Sequence, residues 1–253
     1  MIIESREVES YLTSLTGKFP DGCVIVGHDF SNQDIRWMTF KKVTFAACNF
    51  YNANLSGCNF QECLFDTCTL SRARLWGSLT KAIDCRFETC KMDDSIWAEA
   101  DLSKSRFVGC TGLDMDWSGA NFSDGQAINC IFSTRDTPWQ AQDLFATGAK
   151  FWMTGLRGAM FDGAKLFTTR IKQCDARGTL WNGAQLDAVV FQQCDLDRAF
   201  FQRAEIRSSG FRNALMASAN FRSSFITNSD FTGAILSGAV WTDAETTECE
   251  GLQ

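Results

Sequence analysis

Large apolar residues recur at every fifth position along most of this chain. Counting from Phe30, the frame runs through Ile35, Phe40, Phe45 and Phe50 to Leu75 without a polar member. It then slips by two residues and resumes at Phe87, Met92 and Trp97, reaching Phe132 with Gly112 and Ala127 as weak members. After a second break it holds phase from Phe151 to Trp241. That block has nineteen positions, eighteen of them large and apolar, with Ala176 the exception. A second register, two residues earlier, carries small side chains such as Ala159, Ala164, Thr169 and Cys174.

A period of five fits neither an α-helix nor a flat strand. It fits a chain that turns a corner every five residues, with one large and one small side chain pointing inward per side. Four sides close a coil of 20 residues, and the sequence sorts at that spacing. Phe151, Ile171, Phe191, Phe211 and Phe231 form one column; Phe161, Trp181, Phe201, Phe221 and Trp241 form another. More aliphatic columns alternate with these, as in Leu156, Ala176, Leu196, Met216 and Leu236. Stacked coils place like side chains about 4.8 Å apart, which suits aromatic stacking.

The repeat reads as NANLSG (52–57), AEADLS (98–103), SGANFS (118–123) and SGAVWT (237–242). It resembles the pentapeptide-repeat family, whose loose consensus is A(D/N)LXX, over roughly residues 28–242. The resemblance implies an all-β fold, a right-handed quadrilateral β-helix of about ten coils, on the order of 50 Å long. Residues 1–27 are expected to cap it, with Ile3, Val8, Tyr11, Leu12 and Leu15 forming the apolar stripe of a short helix. Residues 243–253 read as an acidic C-terminal tail. The breaks lie near 76–84 and 133–148, and their tryptophans, Trp76 and Trp139, are candidate interaction residues on loops.

Twelve cysteines first suggest disulfides or zinc. Ten of them, including Cys48, Cys58, Cys63 and Cys68, fall in the small inward register; Cys23 and Cys249 do not. Residues five apart lie on successive sides and cannot converge on one ion. The sequence therefore predicts free thiols acting as core filler, with no metal and no cofactor. One histidine, His28, leaves no Ser–His–Asp or Cys–His nucleophile, and no phosphate-binding glycine motif is present. Enzyme activity is not expected.

The formal charge of −6 is confined to the ends, with −2 over residues 1–10 and −4 over 243–253. Within the neutral body, residues 84–124 carry nine acids, among them Asp93, Asp94, Glu99 and Asp101, against four bases. Residues 150–222 carry eleven bases, including Arg198, Arg203, Arg207, Arg212 and Arg222, against six acids. A step of that kind suits an electrostatically oriented protein partner. Direct nucleic-acid binding is not expected, and no stretch is long and apolar enough to span a membrane. The opening MIIESREVES has acids where a secretory signal has a basic start, so the reading is cytoplasmic, with signal-independent secretion left open.

The position just before each inward large residue should face solvent. Met160, Leu180, Phe200 and Val240 hold that slot at intervals of 20, interrupted by Asn220. They predict an apolar ladder up one wall, suited to a partner or to a homodimer. The function expected is a non-enzymatic protein-binding scaffold. From the resemblance, it would modulate or protect a type II topoisomerase such as DNA gyrase. An effector or accessory of a specialised bacterial secretion system and a structural assembly unit are the alternatives.

Overall fold

The computed structural model describes residues 1–13, 17–134 and 138–252. Over these residues the chain winds into a four-sided parallel β-helix, each side being a strand of two or three residues or a single bridge. We number the walls in chain order. Wall 1 holds Val24, Thr44 and Leu64, and walls 2, 3 and 4 follow at Asp29, Asp34 and Thr39, so walls 1 and 3 are opposite faces. Partners are 20 residues apart, as in Val24↔Thr44. The step grows to 22 at Asn59↔Lys81 and to 24 at Gln126↔Lys150, where the two breaks are absorbed.

Each corner follows from its residues. The Asp or Asn before an inward residue accepts a backbone N–H two positions on: Asn49 Oδ1 from Tyr51 at 3.0 Å, Asp116 Oδ1 from Ser118 at 2.9 Å. This side-chain turn explains the D/N of the consensus. The residue two past the inward one is left-handed, as at Asn32 (φ 59°) and Asn52 (φ 55°), a conformation Asn tolerates better than most. Inside, aromatic rings stack coil on coil: Phe45 on Phe65 at 4.8 Å, Phe65 on Phe87 at 4.7 Å and Phe87 on Phe107 at 4.5 Å.

The coil is longer than the apolar scan suggests. Wall 1 has twelve rungs from Val24 to Glu250, not about ten. Residues 243–250 are no loose tail: Glu245–Thr247 pairs in parallel with Phe225–Thr227, and Glu250 bridges Asp230. This turn does not show in the period of five because its inward large slots hold Thr246 and Gly251. At the other end Ile2–Ile3 is a strand pairing with Val24–Ile25, so Ile3 extends wall 1 instead of joining a helix. The helix is Ser5–Leu12, opened by reciprocal bonds between Glu4 and Glu7. It buries Val8 and sets Tyr11 against Phe19, with ring centres 5.1 Å apart. Leu15 lies outside the described residues.

Candidate interaction surfaces

All twelve cysteines are free thiols, and all occupy small inward slots, including Cys23 and Cys249. The slot selects a small side chain, often alanine, and a donor placed there reaches a carbonyl one coil back. Cys58 Sγ donates to the Ile35 carbonyl one coil back at 3.1 Å, Cys110 to Phe87 at 3.2 Å and Cys194 to Ile171 at 3.2 Å. Thr169 and Ser209 make the same bond to Ala146 and Leu186. Burial pushes the Cys58 thiol up to about 12 and raises Cys85 as well. Among the described residues, no three His, Cys, Asp or Glu side chains are grouped so as to hold a metal ion.

The four residues of the predicted ladder stand on wall 3 in register, Met160↔Leu180↔Phe200↔Asn220↔Val240. Met160 and Leu180 are half-buried, whereas Phe200 and Val240 are 37% and 41% exposed. The patch is wider than the sequence reading. Leu215 and Ile235, 45% and 51% exposed, continue it onto wall 2 across a corner of small residues, Ala217–Ser218 and Ser237–Gly238.

The two breaks do different things. At the first, two extra residues bulge out between Leu75 and Thr80, leaving Trp76 and Leu79 54% and 65% exposed. Thr80 Oγ1 donates to the Trp76 carbonyl at 2.8 Å and accepts the Gly57 N–H at 2.7 Å, pinning the bulge to the coil beneath. Trp76 and Leu79 line a cleft of about 320 Å³ with Trp37 and Glu99. Trp37, 61% exposed, is not singled out by the periodicity, although an indole at a left-handed corner (φ 68°) departs from the turn chemistry of its neighbours.

At the second break the expectation for Trp139 is overturned: it is fully buried. Its indole packs against Trp117, Phe132 and Phe161, with centres 5.1–5.3 Å away. This coil has alanine at three large slots, Ala127, Ala141 and Ala146, and Trp139 and Leu144 at small slots refill the space. Residues 135–137 of the break lie outside the described residues.

The acids do not form one face. Asp93 and Asp94 sit at the corner of walls 2 and 3, where Asp93 lies 3.5 Å from Lys91 and Asp94 lies 3.4 Å from Arg72. Glu99 stands at the next corner, in the cleft. Asp101, on wall 4, accepts from Ser103 N–H and Asn121 Nδ2, each at 3.1 Å. The basic stretch is likewise dispersed. Arg207 pairs with Glu205 at 3.0 Å, Arg198 lies 3.8 Å from Asp197, and Arg212 pairs with Asp230.

Comparison with known proteins agrees with this architecture. The family model described as pentapeptide repeats matches in eight copies, over residues 48–78, 184–222 and 201–239. No curated protein matches. Among solved structures, a trypsin-treated variant of QnrB1, a plasmid-mediated fluoroquinolone resistance protein, is similar with a TM-score of 0.52 at 19% identity. The match covers 65% of this chain and 81% of that one, and at this identity the likeness is one of fold. HetL, a pentapeptide repeat protein involved in heterocyst differentiation regulation in Nostoc sp. strain PCC 7120, matches over 97% of this chain and 94% of its own. Its identity is 18% and its TM-score 0.40.

Proposed function

The chain belongs to the pentapeptide-repeat family, and from that premise we propose that it is a non-enzymatic scaffold that docks a protein partner on wall 3 and modulates a type II topoisomerase such as DNA gyrase. One observation carries the docking reading. Met160, Leu180, Phe200 and Val240 stand in register on one wall and continue into Leu215 and Ile235 on the next. Contiguous exposed apolar surface of this kind marks partner sites in soluble proteins. A rod filled with Phe, Leu, Trp and Ala presents its chemistry outward, on walls too rigid to remodel.

The topoisomerase is the more specific part of the proposal. It is supported by family membership and by the QnrB1-like fold, not by a strongly acidic surface, since the acids here are dispersed or paired. Surface plasmon resonance between this chain and purified gyrase subunits tests both parts. Saturable binding that Phe200→Asp weakens at least tenfold supports them. No binding to gyrase removes the topoisomerase, and binding unchanged by Phe200→Asp removes wall 3.

A further inference from the structure

Wall 1, opposite the apolar ladder, holds a second surface that charge counting along the chain does not reveal. Three in-register pairings, Arg106↔Gln126↔Lys150↔Arg170, set cations in a column across four rungs. Two residues along each strand a second column runs Val108↔Ile128↔Trp152↔Lys172. At about 4.8 Å per rung the cationic column spans roughly 14 Å, and the columns lie about 7 Å apart.

Among the described residues, none of Arg106, Lys150, Arg170 or Lys172 has a carboxylate within the 4.0 Å of an ion pair. Nor does any acid occupy the outward strand positions of wall 1 between Arg106 and Lys172. Below the patch Arg86 pairs with Glu88; above it the next rung, Val190–Gln192, is uncharged, and one rung further Arg212 pairs with Asp230. Trp152 is 46% exposed, and its indole N–H donates to Gln173 Oε1 at 2.8 Å, fixing the ring at the edge of the wall. Met153, 50% exposed, continues the apolar surface round the corner.

We propose that this face docks an acidic amphipathic helix of a protein partner. Arg106, Lys150, Arg170 and Lys172 put four like charges on three of these four rungs, and a line of carboxylates relieves their repulsion. An α-helix repeats every 5.4 Å, close to the rung spacing, so acids at i, i+7 and i+11 on one helix face fall near the rungs of Arg106, Lys150 and Arg170, past the uncharged Gln126. Apolar residues on the flanking stripe of the same helix then meet Ile128 and Trp152. Single-stranded nucleic acid is the other polyanion to consider. It binds through a series of stacking platforms, and this face offers one indole. The proposal does not depend on wall 3 or on gyrase.

The probe is a synthetic amphipathic helix with glutamates along one stripe and leucines beside it, tested by fluorescence anisotropy. Controls are a peptide of the same composition in scrambled order and an oligothymidylate. The helix is expected to bind at least about tenfold more tightly than the scrambled peptide, and to weaken from low to physiological salt. Lys150→Glu with Arg170→Glu should abolish binding, Trp152→Ala should weaken it about tenfold, and Phe200→Asp should leave it unchanged. Lys150→Gln with Arg170→Gln, which adds no new charge, checks that the loss is not misfolding. Equal binding of the scrambled peptide, tighter binding of the oligothymidylate, no binding at all, or indifference to either double substitution would each overturn the proposal.

Discussion

The indole of Trp37 lies against Gly57, one coil on at the same corner, so closely that a Cβ on Gly57 would fall 2.1 Å from a ring carbon. Gly57 is also left-handed, at φ 74°. Alanine there meets two separate costs. The backbone term is about 1–2 kcal/mol, and displacement of the ring adds to it. Gly178, at φ 65° with nothing within 4 Å of its would-be Cβ, isolates the first cost. Urea unfolding should show Gly57→Ala losing more stability than Gly178→Ala, with the excess removed when Trp37 is also alanine. Equal losses would mean that Trp37 is free to move.

Buried tryptophans need an acceptor for their N–H, and two of them find it in the small slot of the same side. Trp97 Nε1 donates to Ser95 Oγ and Trp181 Nε1 to Thr179 Oγ1, both at 2.8 Å. Ser95→Ala should cost about 1–3 kcal/mol, because it strands a buried donor. Ser224→Ala removes a hydroxyl that bonds only the Phe221 carbonyl and should cost less. Thermal melts of the two variants compare them directly.

The thiol column of wall 2 should be silent in the folded protein. Cys48, Cys68, Cys90, Cys110 and Cys130 follow one another in its small slots, each at 1% exposure. Titration with a thiol reagent at neutral pH should modify Cys249, the half-buried one, and reach the other eleven on unfolding. Rapid native labelling of several cysteines would contradict the packing.

His28 heads the same column and gives the fold a pH dependence. It is 6% exposed, and desolvation lowers its pKa below the ordinary 6.5 despite Glu9 Oε1 at 4.0 Å. Between its unfolded and folded pKa values the unfolded chain binds the extra proton, so stability present above pH 6.5 is lost as the pH falls. His28→Cys, the residue used one coil on at Cys48, should flatten the decline as the pH falls below 6.5 in urea unfolding. An identical slope in both proteins would assign that decline to other groups.

Much of the architecture is written in the period of five, because inward slots tolerate few residue types. Phe45, Phe65 and Phe87 announce their column directly. The period fails where phase is lost. Inside a break a tryptophan can face either way, and Trp76 and Trp139 look alike in sequence while one is exposed and the other buried. The alanines at 127, 141 and 146 are the available signal that Trp139 turns in, since they leave a volume to fill. Charge is legible by segment but not by wall. Reading every twentieth residue, corrected for the breaks, is what brings Arg106, Lys150 and Arg170 together and separates Asp93 from Asp101.

The most direct test of the proposed function is gyrase supercoiling in the presence of a fluoroquinolone. The wild-type chain should change the extent of inhibition in proportion to its concentration, and Phe200→Asp, with its fold confirmed by circular dichroism, should not. Supercoiling and its inhibition unaltered by an excess of wild-type protein would contradict the account.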